Sequence, residues 1–337
     1  MRTLVVGIGA LGGVIGARLI SAGAPVSLAV RSRDSASALN ERGLTVRGIG
    51  GDCSVPVSSV APLADYHGTE RFDLILLATK AQDAIGIAPG LMDLLSAHGT
   101  LLPIQNGGVS RVLADRLGAR VLGGLSNLGA TMLGPGVYEQ RNQGHLLIGE
   151  LNACESERAD EIGAWLGQGV DTRVTARMPG AIWSKLLLNC SVTTIGAIAG
   201  CPMRGYITLP AGRALFDLVY DEALEVARAE GVEPTRMIVD PIPARSAADG
   251  SDDARSRWID EILEAYGDLV PSMLQDFQRG KPTEIDFING HVVDRGRQHS
   301  VATPANGALV EQAKRISSGE REPGVGLLRE VLAGLGG

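Results

Sequence analysis

Lys185 and Asn189 stand four residues apart in the stretch AIWSKLLLNC, from Ala181 to Cys190. In a helix that spacing puts both side chains on one face. The residues around them are apolar, and an ammonium is rarely left in such surroundings without a reason. Either the lysine snorkels to water along its own methylenes, or it is held for chemistry. A positioned ammonium can stabilise negative charge that grows on a reacting oxygen and then supply its proton. Asn189, one turn on, can hydrogen-bond without adding charge.

The N-terminus carries a second motif with a chemical use. Gly7-Ile8-Gly9-Ala10-Leu11-Gly12 follows a short apolar run and opens a helix-period segment. In such a loop the first glycine permits a tight turn and the second lets backbone approach a pyrophosphate. The third allows close helix packing, and the helix N-terminus faces the anion. The position that would carry an acid for a ribose 2′-hydroxyl instead reads Val30-Arg31-Ser32-Arg33. A guanidinium there pairs with a 2′-phosphate, so NADP is expected over NAD. The bland alternative for Arg31 is a solvated strand end.

These groups need a scaffold, and the first half of the chain reads as α/β. Thr3–Gly7, Pro25–Val30, Asp73–Thr79 and Thr100–Ile104 are short apolar runs separated by helix-period segments. That texture predicts a doubly wound parallel sheet covered by helices, a Rossmann-type domain over residues 1–177. Leu44–Val60 reads as a hairpin around Gly50-Gly51-Asp52, Gly136–Glu150 as further alternating strands, and Arg173–Thr175 as a last strand. After Met178-Pro179 strand signals become scarce. Ala211–Glu230 and Ile259–Arg279 carry long helical patterns closed by Gly231 and Gly280, which predicts an all-α domain over 178–330. Residues 236–253 read as a loop or mobile cap.

Bulk properties exclude several function classes. The 337 residues are 45% hydrophobic and 20% charged, with formal net charge −7, and nucleic acid is not expected as a main partner. Cys53, Cys154, Cys190 and Cys201 form no Cys-x-x-Cys pair, and the five histidines are scattered. No metal site and a reducing, cytoplasmic setting are therefore expected. Glycines break the N-terminal apolar run, which argues against a secretion signal. No membrane segment is expected.

The motifs in their order resemble the 2-dehydropantoate 2-reductase (ketopantoate reductase) family almost end to end. The matching stretches are the GxGALG start, Thr79-Lys80-Ala81, Gln105-Asn106-Gly107, Trp183-x-Lys185-Leu186-x-x-Asn189-Cys190, Ser272-Met273-Leu274-Gln275-Asp276, Thr283-Glu284-Ile285-Asp286 and Ile288-Asn289-Gly290. The resemblance implies NADPH-dependent reduction of the 2-dehydropantoate ketone to pantoate, with Lys185 as proton donor. It implies that Glu284 acts with Lys185, and that Asn189, Thr193, Ser272 and Glu284 contact the keto acid. Asn106 would lie between nicotinamide and substrate, while Arg31, Lys80 and Thr131 would serve the cofactor. A small-molecule 2-oxo acid is the expected partner, and a homodimer remains open.

Bland readings stand beside these. Thr283-x-x-Asp286 fits a capping box, with Glu284 in a first helical turn where the dipole favours acid. Asn106 next to Gly107-Gly108 fits a plain turn. Thr193 and Met203 stand where the family usually has asparagines, which leaves room for a related dehydrogenase of another 2-oxo or 3-hydroxy acid. A non-catalytic NADP-binding regulator is the third reading, and the presence of both Lys185 and Glu284 argues against it.

Overall fold

The computed structural model describes every residue except 69–70, 238, 242–251 and 337. Most of the loop expected at 236–253 lies outside the described residues. The chain divides into two compact units, Met1–Met178 and Pro179–Gly337.

The first unit runs β1 (Thr3–Val6), α1 (Ala10–Ser21), β2 (Val26–Val30), α2 (Arg33–Arg42), β3 (Leu44–Gly48), β4 (Cys53–Val55) and β5 (Val60–Pro62). It continues with β6 (Phe72–Leu77), α3 (Ala81–Leu91), β7 (Leu95–Pro103), α4 (Val109–Leu117) and β8 (Gly123–Ser126). Then come β9 (Ala130–Gly134), β10 (Val137–Gln140), β11 (Leu146–Gly149), α5 (Glu157–Leu166) and β12 (Thr172–Val174).

Five strands form an all-parallel sheet in the order β5-β2-β1-β6-β7. Counted by appearance this is 3-2-1-4-5, the doubly wound order in which the strand sequence turns back between β1 and β6. Leu4, Val5, Leu74, Ile75 and Leu76 have no exposed surface, as strands covered on both faces require. The expected hairpin is present: β3 pairs antiparallel with β4. It joins β10 and β9 in a second sheet, β4-β3-β10-β9, which packs on the other side of α1. A third small sheet has the order β12-β11-β8.

The second unit has no strand among its described residues; its helices are α6 (Met178–Leu188), α7 (Thr194–Ala199), α8 (Pro210–Ala229), α9 (Asp252–Tyr266), α10 (Ser272–Gln278), α11 (Asn289–Gln298), α12 (Pro304–Ser317) and α13 (Gly326–Leu335). Gly231 and Gly280 follow α8 and α10 with φ of +73° and +59°, the left-handed cap expected of them.

Two expectations are corrected here. Ile259–Arg279 is not one helix. It breaks after Tyr266: Gly267 donates its N–H to the Leu263 carbonyl at 2.8 Å, in a position where a Cβ would lie 2.2 Å from that oxygen, and Pro271 cannot continue a helical ladder. Thr283 does not cap a helix either. Glu284 itself caps a short 3-10 turn, Ile285–Phe287, and its side chain makes no capping hydrogen bond.

The helical stretch Met178–Ala199 is long and apolar enough to cross a membrane, yet 83% of its apolar window is buried inside the protein. It is a core helix of the second unit.

Candidate active site

The Gly7–Gly12 loop joins β1 to α1 at the carboxyl end of the sheet, beside the switch point. Gly7 has φ +94°, and a Cβ there would lie 2.6 Å from the Thr79 side chain. A Cβ on Gly12 would lie 2.0 Å from the Gly7 carbonyl oxygen, so helix and loop meet backbone to backbone. Gly9 differs: a Cβ there meets nothing within 4 Å. Two glycines are thus demanded by the protein's own packing, while the middle one faces open space of the kind a pyrophosphate would fill.

Tyr138 completes this loop and was not foreseen. Its fully buried ring packs on Gly13, where a Cβ would lie 2.2 Å from ring carbons, and its hydroxyl donates to the Ile8 carbonyl at 3.2 Å. Nothing local in the sequence links positions 8 and 138.

Arg31 directly follows β2, with 86% of its side chain exposed, and pairs with Asp83 of α3 at 2.9 Å. Lys80 is the N-terminal cap position of α3 and is half-buried. Asn106 is half-buried after β7, ahead of Gly107 at φ +74°, so it also occupies the turn that its glycines suggest. Gln105 donates its amide to the Leu77 carbonyl at 2.8 Å and the Thr79 carbonyl at 3.0 Å, tying the ends of β6 and β7 together. Thr131 lies in β9, half-buried and in register with Glu139 of β10, on the sheet beyond α1 rather than on the loop's own sheet.

Three buried oxygens after β6 and β7 have no protein donor: Thr79 Oγ1, Gln82 Oε1 and Gln105 Oε1. Buried acceptors are normally satisfied. Ribose hydroxyls and a carboxamide offer the missing donors, so the residues present fit a nicotinamide dinucleotide.

In the second unit, α6 is anchored on either side of Lys185. Trp183 donates its ring N–H to Glu230 at 3.0 Å, and Glu230 also binds Arg295. The Ser184 hydroxyl bonds the Gly180 carbonyl at 2.9 Å and the Thr235 carbonyl at 2.6 Å. Trp183, Ser184, Leu186 and Leu187 are all buried, which fixes the point from which Lys185 projects. Between Gly180 and Ala199 every residue is buried except Lys185, Asn189 and Thr193, which are half-buried.

The lysine side chain is half-buried as a whole, while its ammonium is close enough to the core that burial brings its pKa down to about 8. The negative charge of Glu284 acts in the opposite direction and holds the proton on. At neutral pH the group is therefore a cation of lowered proton affinity, suited to proton donation. Glu284 is half-buried, and Ser272 is exposed at the start of α10 behind Pro271.

The helix does not continue regularly past Leu188. Asn189–Thr193 is a π-turn, with the Thr194 N–H bonded to the Asn189 carbonyl. The Thr193 hydroxyl donates to that same carbonyl at 2.9 Å. Cys190 within the turn is fully buried, and burial raises its thiol pKa well above the ordinary range. Met203 is buried in the core, close after α7. Among the described residues no cluster of histidine, cysteine and carboxylates could hold a metal ion.

Sequence models of one family match both units. The model described as "Ketopantoate reductase PanE/ApbA" matches residues 3–153, and "Ketopantoate reductase PanE/ApbA C terminal" matches residues 177–317. The chain belongs to the ketopantoate reductase family. It is an oxidoreductase of that family.

The 2-dehydropantoate 2-reductase of Pyrococcus horikoshii is 28% identical over 332 residues, covering 95% of this chain and 100% of its own length. A PanE/ApbA family ketopantoate reductase from Ralstonia eutropha JMP134 superposes with TM-score 0.78 at 28% identity, covering 94% of this chain and 99% of that one. D-mandelate dehydrogenase, solved with NADH and anilino(oxo)acetate, has the same fold: TM-score 0.78, 21% identity, 95% of this chain and 99% of that one.

Proposed function

We propose that this chain reduces the ketone of 2-dehydropantoate to pantoate with NADPH. The observation that carries the reading is the accessible stripe Lys185, Asn189 and Thr193 on an otherwise buried helix. Its ammonium has a pKa near 8 and is acted on by Glu284. Residues 1–177 hold the cofactor through Gly7–Gly12, Arg31, Lys80, Asn106 and Thr131. Residues 178–330 hold the keto acid through Asn189, Thr193, Ser272 and Glu284.

When bound, a reduced nicotinamide would supply hydride for the carbonyl carbon. Lys185 Nζ meets the negative charge on the ketone oxygen and gives it a proton, leaving a neutral amine that recovers its proton from water. Glu284 steadies the ammonium before transfer. Arg31 can leave the exposed Asp83 carboxylate for a 2′-phosphate, since such surface pairs contribute only ~0–1 kcal/mol.

A second reading rests on Thr193 and Met203. The Thr193 hydroxyl already spends its proton on Asn189, so it offers a substrate only acceptor pairs and a methyl group. Met203 offers no polar group at all. A different 2-oxo acid fits those positions, and the shared fold alone does not choose between acids.

The test is NADPH oxidation with 2-dehydropantoate, with a panel of other 2-oxo acids, and with NADH in place of NADPH. Turnover highest for 2-dehydropantoate with NADPH is the expected result. Preference for another acid selects the second reading. Tight NADPH binding without turnover of any acid would make the chain a regulator. The four free cysteines fit the cytoplasm, and light scattering decides whether the chain is a homodimer.

A further inference from the structure

The stripe Lys185–Asn189–Thr193 repeats every four residues over two steps, and a continuous α-helix would not keep it aligned. An α-helix advances about 100° per residue, so each step of four overshoots a full turn by about 40°. Thr193 would then stand about 80° round from Lys185. The π-turn over Asn189–Thr193 bonds i to i+5 and winds less per residue. That removes the second overshoot and returns Thr193 to the lysine's face.

A π-turn displaces backbone carbonyls from their α partners, and here side chains take them up. Ser191 Oγ donates to the Leu187 carbonyl at 2.7 Å. The Tyr206 hydroxyl lies 3.0 Å from the Ser191 carbonyl and 3.1 Å from the Val192 carbonyl. Asn289 points its amide at the Cys190 carbonyl at 3.4 Å and gives a second proton to Asn306 Oδ1 at 2.9 Å. Asn306 is in turn held by Glu222, whose carboxylate also takes the first N–H groups of α12. Ser191, Tyr206, Asn289 and Asn306 have no exposed surface, so none of these bonds has water as a substitute.

We propose that Ser191 and Tyr206, backed by Asn289, are positioning residues that hold Asn189–Thr193 in the π form. They thereby keep the proton donor and the two substrate-side groups in line. This rests on the reading of Lys185, Asn189 and Thr193 given above.

Two variants test it. Tyr206→Phe keeps the buried ring and removes the one hydroxyl proton shared between two carbonyls; Ser191→Ala removes the side-chain donor to the Leu187 carbonyl with a smaller change. The measurements are a crystal structure, the keto-acid KM and kcat, and NADPH binding by fluorescence titration. In at least one variant residues 189–193 should return to α bonding. In that variant the keto-acid KM should rise on the order of tenfold, with the NADPH Kd within about twofold of wild type. A merely structural role would lower Tm and leave KM alone. Wild-type keto-acid kinetics in both variants, or a π-turn preserved in both, overturns the proposal. If the wild-type chain reduces no 2-oxo acid, the functional reading fails by itself. The helical register of the two variants then still decides whether these side chains hold the turn.

Discussion

The phosphate loop and the lysine helix solve opposite problems. At Gly7–Gly12 the protein removes side chains so that something else can approach: Gly9 has no protein atom within 4 Å of where a Cβ would be. At Lys185–Thr193 it surrounds a helix almost completely and leaves one stripe open. The first site is made chiefly by the loop's own backbone, with Thr79 and Tyr138 as its distant supports. The second depends on partners far along the chain, such as Glu230, Asn289 and Glu284. A site built on space and a site built on packing should therefore fail differently when altered.

The largest effect is expected at the lysine. Lys185→Ala should fold and bind NADPH normally, while kcat for keto-acid reduction falls on the order of 10²–10⁴-fold, the range for losing a positioned general acid. Steady-state kinetics beside a cofactor titration checks both halves. A mutant with near-normal turnover would return Lys185 to the ordinary snorkelling role.

Next come the glycines, where the comparison is sharpest. Gly12→Ala pushes a methyl against the Gly7 carbonyl and should lower stability by ~1–3 kcal/mol. Gly9→Ala meets no protein atom, so Tm should hold while NADPH Kd rises roughly tenfold or more. Thermal melts and titrations on the pair separate the two roles. Equal melting losses would show that both glycines serve packing alone.

Arg31→Ala should weaken NADPH about tenfold, the size of a lost charge-assisted bond, and leave NADH almost unchanged. Asp83→Ala works the other way by freeing the guanidinium, with a gain of a few-fold at most, since the ion pair is exposed. Equal effects of Arg31→Ala on both cofactors would remove the 2′-phosphate assignment.

The smallest expected effect is a shift in pH profile. The ammonium is present below its pKa of about 8, so reduction should decline as pH rises through that value. Oxidation of the hydroxy acid needs the free amine and should rise over the same interval. Glu284 favours the protonated form, so Glu284→Gln should move the reductive decline to lower pH. A profile of kcat/KM against pH that does not move would mean that Glu284 does not govern this lysine.

Legibility in the sequence follows the same division. The loop, the parallel sheet and the hairpin at Gly50-Gly51 are encoded by neighbours a few residues apart, and local periodicity is enough to read them. Lys185 and Asn189 were legible because i and i+4 share a face in any helix. The π-turn was not. Its partners lie at Tyr206 and Asn289, 15 and 99 residues from the carbonyls they hold, and no local pattern records that. Tyr138 under the phosphate loop was hidden for the same reason. The errors had local causes: the helical period from Ile259 ran through Pro271 without stopping, and the Thr283–Asp286 spacing imitated a capping box where only a 3-10 turn follows.

The buried thiol of Cys190 turns the π-turn into its own reporter. An alkylating reagent attacks a thiolate, so it should label exposed Cys154 in the native protein and pass over Cys190. Modification of Cys190 then requires the turn to open, and its rate under native conditions measures the free energy of that opening. Keto-acid ligands that engage Asn189 and Thr193 should slow the labelling, while cofactor alone should not. A mass spectrometer could thus follow the readiness of this helix without any turnover at all.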